Sequence, residues 1–129
     1  MLEAFIKAII AKLQSNSALH AVLIYGSQAN KTAKAASDID IAYLTDYKKP
    51  LNILDISSSL SEIEILPDID LCCLNTANTI LSMEILRNHQ IVFINSSLDY
   101  ELWKIKTLNL YHDLQITNRE LYKNLGRQM

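Results

Sequence analysis

The chain has 129 residues, half of them apolar, and a formal net charge of −2. This length fits one domain over residues 1–129, and the apolar fraction is high enough for a hydrophobic core. The slightly acidic balance argues against a general nucleic-acid binder, which would present a basic face. The sequence has no apolar run of the length that crosses a bilayer, so we expect no membrane partner.

The apolar residues alternate between the helical and the strand period along the chain. The predicted elements, in chain order, are a helix over 2–14, a strand over 20–25, a short helix or turn within 28–36, a strand over 38–44, a helix through Ile53, Ile56, Leu60 and Ile63, a strand over 69–74, a helix over 77–88, a strand over 90–94 and a helix over 97–125. Asn75 or Thr76 is the expected cap of the helix over 77–88, and Ser96 with Asp99 that of the last helix. This order predicts an α+β (α/β) fold with a small mixed sheet of about four strands flanked by helices.

Glycine is scarce, since only Gly26 and Gly126 are present. A Walker-type phosphate loop and a dinucleotide-binding turn each need at least two closely spaced glycines, because the backbone must approach the phosphates. Neither loop can be built from this sequence. A bound nucleotide must therefore be held in another way.

The two cysteines, Cys72 and Cys73, are neighbours in the sequence. Adjacent residues of a strand point to opposite faces, so the pair is poorly placed for a disulfide and predicts two small buried apolar side chains. Unpaired cysteines are typical of a reducing compartment. The start of the chain also lacks the basic region of a signal peptide, so we expect a cytoplasmic protein.

The pattern that carries chemistry is Gly26-Ser27, ten further residues, and then Asp38-Ile39-Asp40. Gly26-Ser27 ends one predicted strand, and the two aspartates begin the next. Residues i and i+2 of a strand share a face, so both carboxylates point the same way with Cα atoms roughly 7 Å apart. Two like charges this close need a cation between them, and hard oxygen donors suit Mg²⁺.

Asp68-Ile69-Asp70 repeats the same spacing in the third predicted strand. If that strand lies beside the second, one more carboxylate joins the site. Asp70 is the expected one, because Asp68 follows Pro67 at the strand entry. Three carboxylates could hold two Mg²⁺ ions that clamp the attacking and leaving oxygens of a displacement at phosphorus. Gly26 would let the backbone approach phosphate, and Ser27 would hydrogen-bond its oxygens. The alternative is that these aspartates simply end their strands in solvent.

These residues resemble the signature of the nucleotidyltransferase superfamily that includes DNA polymerase beta, and most closely that of the minimal nucleotidyltransferases (MNT proteins). The matching positions are Gly26, Ser27, Asp38, Asp40 and Asp70. The resemblance extends to about residue 125, through the helix and short strand that follow Asp70. One departure is Lys31, where the family usually has a further glycine. Lys31 either adds charge toward a triphosphate or is a solvated loop residue, and the second reading is favoured.

The resemblance implies an MntA-type antitoxin, an enzyme that transfers AMP from ATP to a tyrosine of a HEPN ribonuclease toxin and so silences it. Asp38 and Asp40 would bind Mg²⁺, Asp70 would complete the site and help to deprotonate the acceptor tyrosine, and Gly26 and Ser27 would bind the triphosphate. The expected partners are a cognate HEPN toxin and ATP, with no direct nucleic-acid contact.

Two alternatives remain beside AMP transfer to a toxin. The same fold could neutralise a toxin by direct contact, or it could modify a small molecule, as aminoglycoside-modifying nucleotidyltransferases do. The second alternative ranks lower, because those enzymes usually carry an additional substrate domain.

Two groups of side chains could have either structural or functional roles. The histidines His20, His89 and His112 lack metal-ligand spacing and are expected in structural or surface roles. The last predicted helix carries the aromatic residues Tyr100, Trp103, Tyr111 and Tyr122. Such residues can anchor a partner, but for Trp103 and Leu110 packing against the protein's own sheet is favoured.

Overall fold

The computed structural model describes residues 2–26, 39–48, 51–61 and 69–128. Helices and strands in these ranges follow the predicted order. Their bounds are α1 Leu2–Leu13, β1 Leu19–Tyr25, β2 Ile39–Thr45, α2 Ile53–Leu60, β3 Ile69–Cys73, α3 Thr79–Arg87, β4 His89–Ile94 and α4 Ser97–Gln128. The short helix or turn predicted within 28–36 lies outside the described residues.

The four strands form one mixed sheet in the order β3-β2-β1-β4. β1 is antiparallel to both β2 and β4, whereas β2 and β3 are parallel. A parallel pair needs a crossover connection, and α2 lies on that connection. The prediction of a small mixed sheet flanked by helices is confirmed, and the third strand lies beside the second as expected.

The strand period of two divides the core into two layers. On one side Val22, Ile24 and Ile41 pack with residues of α1 and α2. On the other side Leu23 and Ala42 pack with residues of α3 and α4, and this side is called the α3/α4 face below. Both faces of the sheet are thus covered by helices, and the ends of the strands remain available for a site.

The sequence analysis predicted the cap of α4 correctly and the cap of α3 wrongly. Asn78, not Asn75 or Thr76, caps α3, and its Oδ1 accepts the Leu81 N–H at 2.8 Å. The Ser96 prediction is confirmed, because Ser96 Oγ accepts the Asp99 N–H at 3.3 Å and its hydroxyl donates to the Asp99 carboxylate.

Asn75 has another task at the end of the sheet. Its Oδ1 accepts the Thr45 N–H at 2.9 Å, and its Nδ2 donates to the Thr45 carbonyl at 2.9 Å. The asparagine side chain thereby continues the pairing of β2 and β3 by one more step. Asn75 and Thr45 are thirty positions apart in the chain. The capping rule considers only neighbouring residues, so it wrongly assigned Asn75 to the helix cap.

The cysteine prediction is partly confirmed. Both thiols are free, and Cys73 packs in the α1/α2 layer while Cys72 packs on the α3/α4 face. They are half-buried rather than buried, because β3 is an edge strand of the sheet.

The last helix, α4, has 32 residues and is therefore about 48 Å long. Trp103 packs into the core with 7% exposure, as predicted, but Leu110 is 45% exposed and lines a surface cavity instead. Leu121 and Leu125, further along, are also exposed. None of the helices in the described ranges is long and apolar enough to cross a membrane.

Candidate active site

Four polar side chains form a row across one end of the sheet, where β1 ends and the other three strands begin. Asp70 lies opposite Asp40, Asp40 opposite Tyr25, and Tyr25 opposite His89. Paired residues on adjacent strands share a face and lie roughly 5 Å apart. We call Asp70, Asp40, Tyr25 and His89 the polar row. It lies on the α3/α4 face, since Tyr25 itself and Cys72, two residues after Asp70, pack there.

The row contains two of the three acids that the sequence singled out. The structure brings Asp40 and Asp70 into direct register on parallel strands. Asp40 is partly exposed and Asp70 is exposed, so both are open to a ligand from solvent. Ser27, Asp38, Lys31 and Asp68 lie outside the described residues. The roles of the acids as metal ligands stay predictions.

Gly26 directly follows Tyr25 at the end of β1, and both its backbone conformation and its surroundings favour glycine. Its φ is +72°, in the left-handed region that L side chains rarely adopt. A Cβ added at this position would also overlap the Oδ2 atom of Asp40. The sequence predicted a close approach of Gly26 to phosphate. The structure shows a close approach of Gly26 to the Asp40 carboxylate.

Tyr25 is a member of the row that sequence reasoning missed. Burial raises the pKa of its phenol to about 12, and the nearby Cys72, Asp40 and Asp70 act in the same direction. The phenol therefore keeps its proton at neutral pH and remains a hydrogen-bond donor beside the two carboxylates. Only the register of β1 on β2 reveals this position, because Tyr25 and Asp40 are distant in sequence.

His89 closes the row and is held from both ring nitrogens. Nδ1 lies 2.8 Å from the Ile85 carbonyl, and Nε2 lies 2.7 Å from the Tyr100 hydroxyl. Since a carbonyl only accepts, Nδ1 donates, and in the neutral ring Nε2 accepts from Tyr100. The ring also packs edge-on against Tyr100 and Trp103, with centroids 6.0 and 6.1 Å apart. His89 thus ties the start of β4 to α3 and α4, which is a structural role.

The donor chemistry of the row fits a hard divalent cation. Mg²⁺ binds through one or two carboxylates and keeps positions for water and substrate phosphate. Asp40 and Asp70 supply two adjacent carboxylates, which would repel each other without a cation. Within the described ranges no group of three His, Cys, Asp or Glu residues is placed to hold a metal. The predicted third ligand, Asp38, falls outside those ranges.

A comparison with protein-family models matches residues 7–98 to the family described as polymerase beta, nucleotidyltransferase. The chain belongs to this nucleotidyltransferase family. The matched segment includes all four strands, and with them Gly26, Asp40 and Asp70. The polar row therefore lies within the part of the chain that matches the family model.

Several solved structures of similar fold are toxin–antitoxin complexes. A toxin–antitoxin crystal structure with AMP-PNP contains a chain with 26% identity and a TM-score of 0.73, over 93% of this chain and 97% of that one. A tri-AMPylated Shewanella oneidensis HEPN toxin in complex with MNT antitoxin gives 25% identity and a TM-score of 0.70, over 97% of this chain and 98% of that one. A MntA–HepT complex, at 24% identity and a TM-score of 0.69, covers 95% and 97% and shows the same fold. A comparison with curated proteins gives no match.

Proposed function

We propose that this nucleotidyltransferase is an antitoxin that transfers AMP from ATP to a tyrosine of a cognate HEPN toxin. The observation that carries the proposal is the direct register of Asp40 and Asp70 at the sheet end where Gly26 meets the Asp40 carboxylate. The similar structures support it, because one of them holds an AMPylated HEPN toxin with an MNT antitoxin and another holds AMP-PNP.

In this proposal the aspartates bind the metal, and one of them also accepts a proton. Asp40 and Asp70, together with Asp38, hold Mg²⁺, which when bound neutralises the charge of the triphosphate. Gly26 and Ser27 hold the phosphate oxygens. The toxin tyrosine oxygen forms a bond to the α-phosphorus while the bond to pyrophosphate breaks. Asp70 takes the phenolic proton, since it is exposed on the edge strand β3 and an incoming side chain can reach it.

Labelled ATP tests the transfer directly. The purified protein, its cognate HEPN toxin, Mg²⁺ and ATP labelled in the α-phosphate are mixed, and label on the toxin is measured with time. Asp40→Asn is expected to reduce the labelling rate by about a hundredfold or more, because a preorganised charge is lost from the site. Asp46→Asn is the matched control, since Asp46 follows the opposite end of the same strand. Equal labelling by Asp40→Asn and the wild type would contradict the proposal.

One observation favours neutralisation by contact as a second candidate. Leu98, Leu102 and Ile105 share one side of α4 and are 69%, 51% and 54% exposed. Such a stripe suits a protein partner. The double variant Asp40→Asn/Asp70→Asn separates the two functions in cells that express the toxin. Loss of neutralisation supports AMP transfer, and full neutralisation supports contact alone.

A further inference from the structure

The second half of α4 extends beyond the part that packs against the protein's own sheet. Tyr100, Trp103 and Thr107, in the first half, are buried with 6%, 7% and 4% exposure. Of the side chains described between residues 108 and 125, none is buried. At 1.5 Å per residue this stretch is about 27 Å long. It is therefore a surface that the described parts of the chain leave largely uncovered.

This second half carries the continuation of the side of α4 that packs into the core. One series of residues runs through both halves with alternating spacings of three and four, the heptad spacing that keeps side chains on one side of a helix. The series is Tyr100, Trp103, Thr107, Leu110, Leu114, Thr117 and Leu121. Leu110 is 45% exposed, Leu121 is 55% exposed, and Leu114 is partly buried. We call Leu110, Leu114, Thr117 and Leu121 the α4 seam.

The α4 helix lies outside the nucleotidyltransferase family model but within the match to the toxin–antitoxin structures. The family model ends at residue 98, and α4 is Ser97–Gln128. The matched chains of the complex with AMP-PNP and of the tri-AMPylated toxin complex cover 93% and 97% of this chain. The uncovered 7% and 3% of 129 residues are about 9 and about 4 residues, whereas α4 has 32. Both matched chains, each from a complex with a toxin, therefore share most of α4.

Acidic side chains border the α4 seam on one side. Asp113 and Glu120 are exposed, and each directly precedes a leucine of the seam, so both lie about 100° from it in the same sense around the helix. Asn118 and Leu125, on the other border, carry no charge. An antiparallel second copy of this helix would place acid against acid, and a parallel copy would place the acids against the uncharged border. The seam therefore fits a helix with basic borders better than it fits a second copy.

We propose that the α4 seam is the docking site for a helix of the cognate toxin, one whose apolar side is bordered by lysine or arginine residues. This inference rests on the proposed function, since it takes the toxin as the partner. The apolar side of that helix packs on the leucines of the seam, and its basic residues lie beside Asp113 and Glu120.

The α4 seam lies away from the polar row. Leu110 lines one surface cavity together with Asn75, which follows the end of β3. Asp70, in the polar row, is five residues before Asn75, a distance of roughly 16 Å along a strand. The docking site and the site of transfer are therefore separate. A change in the seam is expected to act mainly on the affinity for the toxin.

Binding without nucleotide tests the docking site apart from the chemistry. The whole chain is titrated with its cognate toxin by isothermal titration calorimetry, without ATP and Mg²⁺, and the wild type is expected to bind saturably. Leu114→Gln/Leu121→Gln is expected to weaken binding at least tenfold, because two apolar contacts at the centre of the seam are lost. Leu108→Gln/Ile116→Gln is the matched control and is expected to bind like the wild type. Its two residues are 49% and 40% exposed and lie more than 100° around the helix from the seam leucines.

Charge reversal tests the acidic border. Asp113→Lys/Glu120→Lys is expected to weaken binding about tenfold at low salt, because attraction to the basic toxin helix becomes repulsion. Arg119→Glu/Lys123→Glu reverses two exposed charges on the opposite side of the same helix and is expected to bind at least as tightly as the wild type. Equal binding by Asp113→Lys/Glu120→Lys and the wild type would contradict the basic border of the partner.

Failure of the docking proposal and failure of AMP transfer give different results. Circular dichroism checks that each variant is folded. Asp40→Asn is expected to bind the toxin like the wild type while labelling it slowly, whereas Leu114→Gln/Leu121→Gln is expected to need at least tenfold more toxin for half-maximal labelling. If folded Leu114→Gln/Leu121→Gln binds as tightly as the wild type, the docking proposal is overturned and AMP transfer stands. If Asp40→Asn labels normally, AMP transfer alone is contradicted.

Two further results would overturn the docking proposal. One is a wild-type protein that does not bind the toxin. The other is a wild-type protein that forms a dimer in analytical ultracentrifugation, with the dimer lost in Leu114→Gln/Leu121→Gln, because the occupant of the seam would then be a second copy. A wild type that sediments as a monomer alone and as a complex with the toxin is the expected result.

Discussion

Replacing Gly26 by alanine measures how tightly the end of β1 is fitted against Asp40. The left-handed φ of +72° costs a non-glycine residue about 1–2 kcal/mol. The new Cβ also overlaps the Asp40 carboxylate, which must rotate away, and an off-rotamer side chain costs about 0.5–1.5 kcal/mol more. For 129 residues, each kcal/mol lowers the melting temperature by roughly 4 °C. We therefore expect Gly26→Ala to melt about 6–14 °C below the wild type.

The same substitution made in an Asp40→Ala protein separates the backbone cost from the cost of the steric overlap. In Asp40→Ala the carboxylate is gone, so only the backbone cost remains and adding Gly26→Ala is expected to lower the melting temperature by about 4–8 °C. Gly26→Asn is a further control, because asparagine tolerates the left-handed region but still has a Cβ that meets Asp40. Thermal unfolding by circular dichroism gives all the values. An equal loss from Gly26→Ala in both backgrounds would refute the steric contact with Asp40.

Three more predictions concern Asn75, Tyr100 and Tyr25. Asn75→Ala leaves both backbone groups of buried Thr45 without their partner and is expected to cost about 2–3 kcal/mol in urea unfolding, whereas a loss below about 0.5 kcal/mol would contradict the bridging role. Tyr100→Phe removes the hydroxyl partner of His89 and is expected to cost about 1–2 kcal/mol in the same assay, and a stability equal to wild type would show that this bond contributes nothing. The pKa of Tyr25 is raised to about 12 in the folded protein, so the unfolded chain ionises first and stability falls as pH rises from about 10 to 12. Absorbance titration should show that Tyr25→Phe lacks a phenol titrating near 12, and its stability should fall less over that range; an unchanged titration would contradict the assignment.

The helices and strands were predictable because their apolar periods are local. α1 and β1, for instance, begin and end within one residue of the predicted positions. Contacts between distant segments were not predictable in this way. Asn78 caps α3, whereas the Asn75 side chain hydrogen-bonds the backbone of Thr45. Which of the two asparagines caps the helix depends on the path of the turn after β3.

The acidic part of the site was visible in the sequence, and the rest of the polar row was not. Asp40 and Asp70 each belong to an Asp-Ile-Asp sequence, and charged residues are unusual within apolar strands. Tyr25 and His89 look like ordinary strand-end residues, and they join the row only through the register of β1 with β2 and β4. Register depends on pairing across the sheet, which a local pattern does not specify.

The most direct test of AMP transfer by the polar row is the intact mass of the toxin after incubation with this protein, ATP and Mg²⁺. Wild-type protein is expected to add one or more AMP units to the toxin. Asp70→Asn is expected to leave the toxin mass unchanged over the same time, while Asp46→Asn modifies it normally. An Asp70→Asn protein that modifies the toxin as fast as wild type would contradict the role of Asp70 beside Asp40.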